Sequence, residues 1–252
     1  MIERKFVVSN QSGEKLMCVE VLPDAEPSES LPVVVMCHGF AYFKEESGLF
    51  TDMAAVLAQQ GYAVYYFDFS GCGESEGNYK DTSLTKLVAD LKSVVKVVAE
   101  FSYINAQELS LVGQSFGTNV CVAAKVPDIR RMVLCGAFDN PHELLSSLFP
   151  DFDETKTVTR ERDDGRKTIL EPGFWEDTKQ YDLPRDIATF SCPILFIHGE
   201  LDDIVPLESG KRLMSYAQNA TMEIIHESNH GLRPGHIQVF NAITEFFVES
   251  SK

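Results

Sequence analysis

The sequence predicts an α/β fold in which a mostly parallel sheet carries helices on both faces. Short apolar runs alternate along the chain with segments of helical periodicity, a pattern typical of strand–helix–strand units. Several of these runs, such as residues 33–37 and 193–197, are continuously apolar, as in strands buried on both faces. A chain of 252 residues can form one such domain with a modest insertion.

Each element of this fold is indicated by its own pattern. Two strands, residues 5–9 and 15–22, flank a turn-forming segment at 10–13. The buried strands that follow are predicted at residues 33–37, 63–68, 109–112, 132–135, 193–197 and 221–225. The helices between them are predicted at residues 47–60, 84–101, 118–125, 207–217 and 234–249.

Residues 139–190 interrupt the alternation. Asn140 has the character of an N-cap for a short helix, and residues 158–163 and 166–170 form a predicted hairpin joined through Asp164-Gly165. The remainder is rich in aromatic and charged residues. We interpret this segment as a cap over the active site of the domain. The alternative is a surface excursion that has no role in substrate choice.

The domain organisation that follows is one α/β core with a single insertion. Residues 1–138 and 191–252 make up the core, and residues 139–190 make up the cap. The six cysteines show no C-x-x-C spacing, so we expect them to be reduced and most of them to be buried.

The composition argues against two classes of partner. A formal net charge of −16 disfavours nucleic acid and anionic membrane surfaces. The first residues contain no apolar segment typical of a signal peptide, and no apolar run reaches the length of a membrane span. We therefore expect a cytoplasmic protein.

The pentapeptide Gly113-Gln114-Ser115-Phe116-Gly117 lies where a predicted strand ends and a helix begins. A strand that turns at once into a helix leaves room only for glycine on both sides of the turn. Ser115 is then exposed at the sheet edge as a candidate nucleophile. The Phe116 N–H, in the first helical turn, is a candidate donor to an oxyanion. Since G-x-S-x-G also occurs in ordinary turns, the assignment depends on an acid and a histidine elsewhere.

Asp202 and His230 each follow a predicted strand directly. Because the carboxyl ends of parallel strands meet at one sheet edge, we expect these two residues to lie near Ser115. In such a group the histidine removes the serine proton during attack, and the aspartate orients the imidazole. Phe40, after the strand at 33–37, is the candidate for the second oxyanion N–H.

These motifs resemble the α/β-hydrolase superfamily over nearly the whole chain. Within it, the chain is most similar to the capped bacterial esterases that include the cinnamoyl (feruloyl) esterases. The matching stretches are His38-Gly39-Phe40 with Lys44-Glu45-Glu46, the loop 67–77, the pentapeptide around Ser115, and His198-Gly199-x-x-Asp202-x-x-Val205-Pro206. The order Ser, Asp, His is the one this resemblance implies.

The resemblance also decides between neighbouring candidates. It favours Asp202 over Asp203, because Asp202 precedes Val-Pro by three residues. It favours His230, which is followed by glycine, over His226 and His236. Three positions depart from the esterase pattern: Gln114, Phe116 and Cys72 stand where those enzymes usually have His, Gln and His.

The resemblance and the catalytic residues together imply a serine carboxylesterase for small to medium acyl groups, hydroxycinnamoyl esters included. Its substrate is a small-molecule ester, and it needs no cofactor and no metal. A homodimer is compatible with the sequence. A thioesterase, an amidase or a peptidase-like hydrolase would use the same residues. The alternative of another class is a catalytically silent binding protein with this fold.

Overall fold

The computed structural model describes residues 1–23, 30–162 and 165–249, and within them an eight-stranded sheet forms the centre of the molecule. Its strands are β1 (Ile2–Ser9), β2 (Lys15–Leu22), β3 (Leu31–Cys37), β4 (Ala63–Phe67), β5 (Ile104–Gln114), β6 (Arg131–Cys135), β9 (Ile194–Gly199) and β10 (Ala220–Ile225). A separate hairpin consists of β7 (Val158–Glu161) and β8 (Lys167–Leu170). The spatial order is β1-β2-β4-β3-β5-β6-β9-β10. β2 pairs antiparallel with β1 and β4, and the remaining pairs are parallel, as predicted.

Helices cover both faces of this sheet. In chain order the helices, including those of the segment between β6 and β9, are α1 (Leu49–Gln59), α2 (Leu84–Ala99), α3 (Phe116–Ala124), α4 (Pro141–Ser147), α5 (Pro172–Thr178), α6 (Leu183–Ile187), α7 (Leu207–Met214) and α8 (His236–Glu249). The sheet separates two hydrophobic cores, and alternate residues of β3 pack in one core or the other. Val34 and Met36 pack in the core formed with α1 and α8, whereas Val33 and Val35 pack in the core formed with α2 and α3.

The start of the first helix differs from its prediction. The sequence predicts a helix from residue 47, but α1 begins at Leu49 after a single 3₁₀ turn over Glu46–Gly48. Ser47 and Gly48 have φ angles of 54° and 94°, and backbone with positive φ cannot continue a right-handed helix. This break places Glu46 on a turn beside β3 and not on the helix.

The segment between β6 and β9 contains α4, the β7–β8 hairpin, α5 and α6. The sequence did not predict α5 and α6, because helices of seven and five residues are too short to show periodicity. Leu145, Phe149 and Trp175 of this segment belong to the hydrophobic core that contains α2 and α3. The two predicted hairpin strands are present as β7 and β8. Residue 163, at the end of the first predicted strand, and residue 164, in the predicted turn, lie outside the described residues.

All six cysteines are free thiols. Five are buried and Cys192 is half-buried, which confirms that most of them serve as small hydrophobic residues. Across the described ranges, no helix is both long enough and apolar enough to pass through a bilayer.

A buried lysine holds the loop after β4 to the turn that precedes α1. Lys44 Nζ lies 2.7 Å from Asp68 Oδ2 and 2.7 Å from Glu74 Oε2. The Asp68 side chain is 0% exposed and that of Lys44 only 3% exposed. Despite the opposing effect of burial, the carboxylate partners raise the pKa of Lys44 above its usual range. Lys5 also contacts Glu74, at 2.9 Å, but its side chain is 55% exposed.

We expect Lys44→Met to lower the free energy of unfolding by about 3–5 kcal/mol, because it leaves the buried Asp68 carboxylate without its cation. Lys5→Met removes an exposed contact with the same Glu74, and we expect a change of at most about 1 kcal/mol. Urea denaturation of both variants measures the difference. Equal losses in the two variants would contradict a structural role for the buried pair.

Candidate active site

Ser115 lies at the junction of β5 and α3 in a strained conformation, with φ 52° and ψ −122°. The flanking glycines have no room for a side chain. A Cβ on Gly117 would lie 2.0 Å from the Cys37 carbonyl oxygen, and one on Gly113 would lie 2.6 Å from the Thr118 nitrogen. The Ser115 N–H donates to the Cys135 carbonyl at 2.8 Å, which ties the turn to β6. The serine is therefore held in its strained geometry by the surrounding backbone.

Asp202 and His230 form a direct pair in the loops after β9 and β10. His230 Nδ1 lies 2.8 Å from Asp202 Oδ2. Asp202 Oδ1 accepts two backbone hydrogen bonds, from Ile204 N–H at 3.0 Å and Val205 N–H at 2.8 Å. The aspartate side chain is 1% exposed, so these contacts fix its orientation.

The electrostatics of the pair favour an ionised aspartate. Burial opposes ionisation, but the hydrogen bond and charge of His230, with the two backbone donors, outweigh it and lower the pKa of Asp202. Since an ionised carboxylate only accepts hydrogen bonds, Nδ1 of His230 carries a proton. In the neutral ring Nε2 then has a free lone pair, as a general base requires.

Two residues at the ends of β5 and β6 lie against His230. The side-chain amide of Gln114 donates to the His230 carbonyl oxygen at 2.9 Å. Gly136, which follows β6, lies against the imidazole, and a Cβ there would be 3.2 Å from His230 Cε1. Gln114 is one of the departures from the esterase pattern, and here it links the turn at Ser115 to the loop that carries His230.

Ser115 and His230 line the same cavity, which has a volume of about 530 Å³. Gly39 and Phe40 form part of its wall, and so do Leu144 and Leu145 of α4 and Leu148 directly after it. Arg160 and Arg162 reach it from the β7–β8 hairpin. The segment inserted between β6 and β9 therefore contributes both apolar and charged groups to the cavity that contains Ser115.

Phe40 and Phe116, the two predicted oxyanion donors, are adjacent. Both residues are buried, and their rings meet edge to face with centroids 5.8 Å apart. Among the described residues, no group accepts a hydrogen bond from the N–H of Phe40 or of Phe116. The neighbouring donors are occupied, since the Gly39 N–H bonds to Glu46 and the Ala41 N–H bonds to the Tyr79 hydroxyl at 2.8 Å.

Two family models match this chain, each over more than half of its length. One, described as serine aminopeptidase S33, matches residues 28–159, and the other, described as serine hydrolase (FSH1), matches residues 97–232. The chain belongs to the serine hydrolases of the α/β-hydrolase superfamily. This confirms the family that the sequence motifs indicated.

Solved structures share the fold of this hydrolase. Est1E from Butyrivibrio proteoclasticus with ferulic acid bound matches with a TM-score of 0.87 at 22% identity, covering 97% of this chain and 98% of that chain. The esterase domain of a Rhodothermus marinus protein matches with a TM-score of 0.76 at 22% identity, covering 98% of each chain. These likenesses confirm the predicted α/β-hydrolase fold.

The chain also has curated relatives, one of which it spans only in part. The hydrolase is 25% identical over 219 residues to YfhR of Salmonella typhi, an uncharacterized protein. The match covers 81% of this chain and 66% of YfhR, so the chain spans just under two thirds of that relative.

Three further histidines, His38, His226 and His236, have other hydrogen-bond partners than His230. His38 is buried; its Nδ1 donates to the Gly39 carbonyl at 2.9 Å and its Nε2 accepts from the Phe69 N–H. Burial lowers the pKa of His38 to about 4, so the ring is neutral. His226 is exposed beside Glu200, and His236 contacts the Gly231 carbonyl. Asp203 is exposed at the cavity rim, while Asp202 makes the contact with His230.

Glu46 is a cavity residue that the sequence analysis did not single out as functional. Its carboxyl accepts the Gly39 N–H, and burial raises its pKa to about 8 against the opposing effects of that hydrogen bond and of Arg162. An ideal Cβ on Gly39 would lie 3.1 Å from Glu46 Oε1 and 3.2 Å from Ser115 Cβ, so the carboxyl is close to the serine. The esterase motif includes Glu46, but nothing in its spacing indicates this contact.

We expect Gly117→Ala to lower the free energy of unfolding by about 1–3 kcal/mol or more, because the new methyl group overlaps the Cys37 carbonyl. Gly173→Ala, in α5, is the matched control. A Cβ there has no atom within 4 Å among the described residues, so we expect little change or a slight gain. Thermal unfolding measures both. A Gly117→Ala protein as stable as the control would contradict the close approach of α3 to β3.

Proposed function

We propose that the hydrolase cleaves carboxylic esters of small to medium acyl groups through a Ser115–His230–Asp202 triad. The observation that carries the proposal is the Asp202–His230 pair, whose two atoms are 2.8 Å apart at the cavity that Ser115 also lines. The ionised aspartate fixes the imidazole tautomer in which Nε2 can accept a proton. This is the arrangement a serine needs in order to become a nucleophile.

The reaction proceeds in two halves. Ser115 Oγ attacks the ester carbonyl carbon while His230 Nε2 takes the hydroxyl proton. The carbonyl oxygen becomes an oxyanion that accepts hydrogen bonds from the Phe40 and Phe116 N–H groups. His230 then returns the proton to the leaving alcohol, which departs and leaves an acyl-serine. Water attacks this ester with His230 again as the base, and the acid product leaves.

The walls of the cavity support a limited acyl size. A volume of about 530 Å³ accommodates a small or medium acyl chain together with its alcohol. The leucines at positions 144, 145 and 148, in and directly after α4, offer an apolar surface to the acyl group. We assign residues 139–190 the role of a cap, because α4 and the β7–β8 hairpin both contribute to this wall. Hydroxycinnamoyl esters are included among the candidate substrates, since Est1E, with its bound ferulic acid, has the same fold.

Amide bonds are the second candidate substrate. One matching family model is described as serine aminopeptidase, and the same triad can cleave an amide. Ester and amide substrates differ in the leaving group that His230 must protonate, so a substrate panel separates them.

We expect Ser115→Ala to lower ester hydrolysis by about 10⁴-fold or more, because removing a triad member leaves only the oxyanion hole and binding. The panel runs from acetyl to octanoyl p-nitrophenyl esters and adds methyl ferulate, an amino-acid p-nitroanilide and an acyl thioester. Ser110→Ala is the matched control, since Ser110 lies on the same strand and is buried. A fluorophosphonate probe reports the nucleophile independently, with labelling expected in the control and not in Ser115→Ala.

Retained ester hydrolysis in Ser115→Ala would contradict the proposed nucleophile. Activity confined to the anilide or the thioester would replace the ester assignment by an amidase or thioesterase. A folded wild-type protein that neither hydrolyses the panel nor reacts with the probe would indicate a catalytically silent binding protein.

A further inference from the structure

The backbone before and at Gly39 is held by two side chains. The Gly39 N–H donates to the Glu46 carboxyl, and the Gly39 carbonyl accepts from His38 Nδ1 at 2.9 Å. A trans peptide is planar, with its C=O and N–H pointing in opposite directions. The hydrogen bond to the Gly39 carbonyl therefore also sets the direction of the Phe40 N–H, which belongs to the same peptide unit.

The next peptide unit is held at both of its polar atoms. The Phe40 carbonyl accepts from Arg162 Nη2 at 2.6 Å, and the Ala41 N–H donates to the Tyr79 hydroxyl at 2.8 Å. Three consecutive peptide planes are thus fixed by side chains. Of the three N–H groups in these planes, that of Phe40 is the one for which the described part of the chain offers no acceptor.

Arg162 comes from the inserted segment, 122 positions along the chain from Phe40. Its backbone N–H donates to the Arg166 carbonyl at 2.9 Å, and its carbonyl accepts from the Gly165 N–H at 2.8 Å, so the hairpin backbone holds it. Its guanidinium lies over the Tyr42 ring, 5.6 Å from the centroid. A planar guanidinium that lies over an aromatic ring suits a single directed bond to a carbonyl better than a mobile ammonium does.

Building on the function proposed above, we propose that Arg162 and Glu46 are positioning residues of the oxyanion hole. The β7–β8 hairpin completes the hole by delivering Arg162 to the Phe40 carbonyl, and Glu46 anchors the preceding peptide. Neither side chain takes part in bond making. Each acts through the Phe40 N–H, whose alignment determines how strongly it stabilises the tetrahedral oxyanion. The cap is in this way part of the catalytic apparatus as well as a wall of the cavity.

The test compares variants that remove a contact with variants that keep it. We expect Arg162→Met and Glu46→Leu each to lower kcat by about ten- to one-hundredfold, less than the 10²–10³-fold loss typical of deleting a donor. KM should change less than about threefold, because the contact acts in the transition state. Glu46→Gln keeps an acceptor for the Gly39 N–H and should retain most of the activity. Arg162→Lys keeps a charge and a donor and should recover part of the loss.

Lys167→Met is the matched control for loss of a cation from the same hairpin. Lys167 lies on β8, where its ammonium contacts Glu161 at 3.3 Å, and in the described structure no hydrogen bond or ion pair joins its side chain to residues 38–41. Its kcat should stay within about twofold of wild type. Circular dichroism and thermal unfolding of every variant identify any general loss of structure.

A trifluoromethyl ketone provides a second readout, because its adduct with serine carries an oxyanion. We expect its Ki to rise in Arg162→Met and Glu46→Leu by the same factor as kcat/KM falls. The proposal is overturned if the folded variants keep kcat within twofold of Lys167→Met, or if KM accounts for the whole loss.

If the proposed ester hydrolysis is wrong, the results differ from those expected when only the positioning role is wrong. If wild type reacts with the fluorophosphonate but hydrolyses no ester, the proposed function fails, and the labelling rates of the same variants decide the positioning role. Unchanged rates would overturn it, and reduced rates would support it. If wild-type Ser115 is not labelled at all, both proposals are overturned.

Discussion

The close approach of α3 to the end of β3 is the constraint on which the rest of the site depends. Gly117 lies so near the Cys37 carbonyl that a Cβ would be 2.0 Å from its oxygen. This contact forces Ser115 to turn within one residue, with φ 52°, and to sit beside the loop that follows β3. Phe40 in that loop and Phe116 at the start of α3 consequently lie next to each other. The strain at Ser115 is sustained by buried strands on both sides, so the stability of the sheet supports the geometry of the site.

The sequence was sufficient for the features that rest on local patterns. Strands buried on both faces appear as continuous apolar runs, which is why the parallel sheet and its helices could be predicted. The position of Ser115 follows from the glycine spacing, because only glycine tolerates the contacts found at Gly113 and Gly117. The choice of Asp202 over Asp203 rested on the motif ending in Val-Pro. In the structure it is Asp202 that accepts the Val205 N–H and contacts His230.

Features that rest on contacts between distant segments were not predictable in this way. The bond from Arg162 to the Phe40 carbonyl joins an inserted hairpin to the core, and no periodicity in either segment indicates it. Gln114 was noticed only as a departure from a pattern, while its bond to the His230 carbonyl is a product of tertiary packing. Glu46 is close to Gly39 in sequence, but its contact depends on the turn at Ser47 and Gly48 that replaces the predicted start of the helix. Short helices such as α6 gain their stability from burial of Leu183 and Ile187, and too few residues are involved for a sequence pattern to emerge.

We infer that Phe40 and Phe116 hold the oxyanion formed on Ser115, and that the surrounding side chains keep both N–H groups in place. The most direct measurement is a crystal structure of the hydrolase after reaction with a p-nitrophenyl alkylphosphonate, whose tetrahedral phosphorus adduct imitates the intermediate. We expect phosphorus bonded to Ser115 Oγ, with one phosphonyl oxygen about 2.7–3.1 Å from both the Phe40 and Phe116 nitrogens. We also expect the Arg162 bond to the Phe40 carbonyl to remain in place. An adduct on another residue, or a phosphonyl oxygen directed away from these two N–H groups, would contradict this role of Phe40 and Phe116.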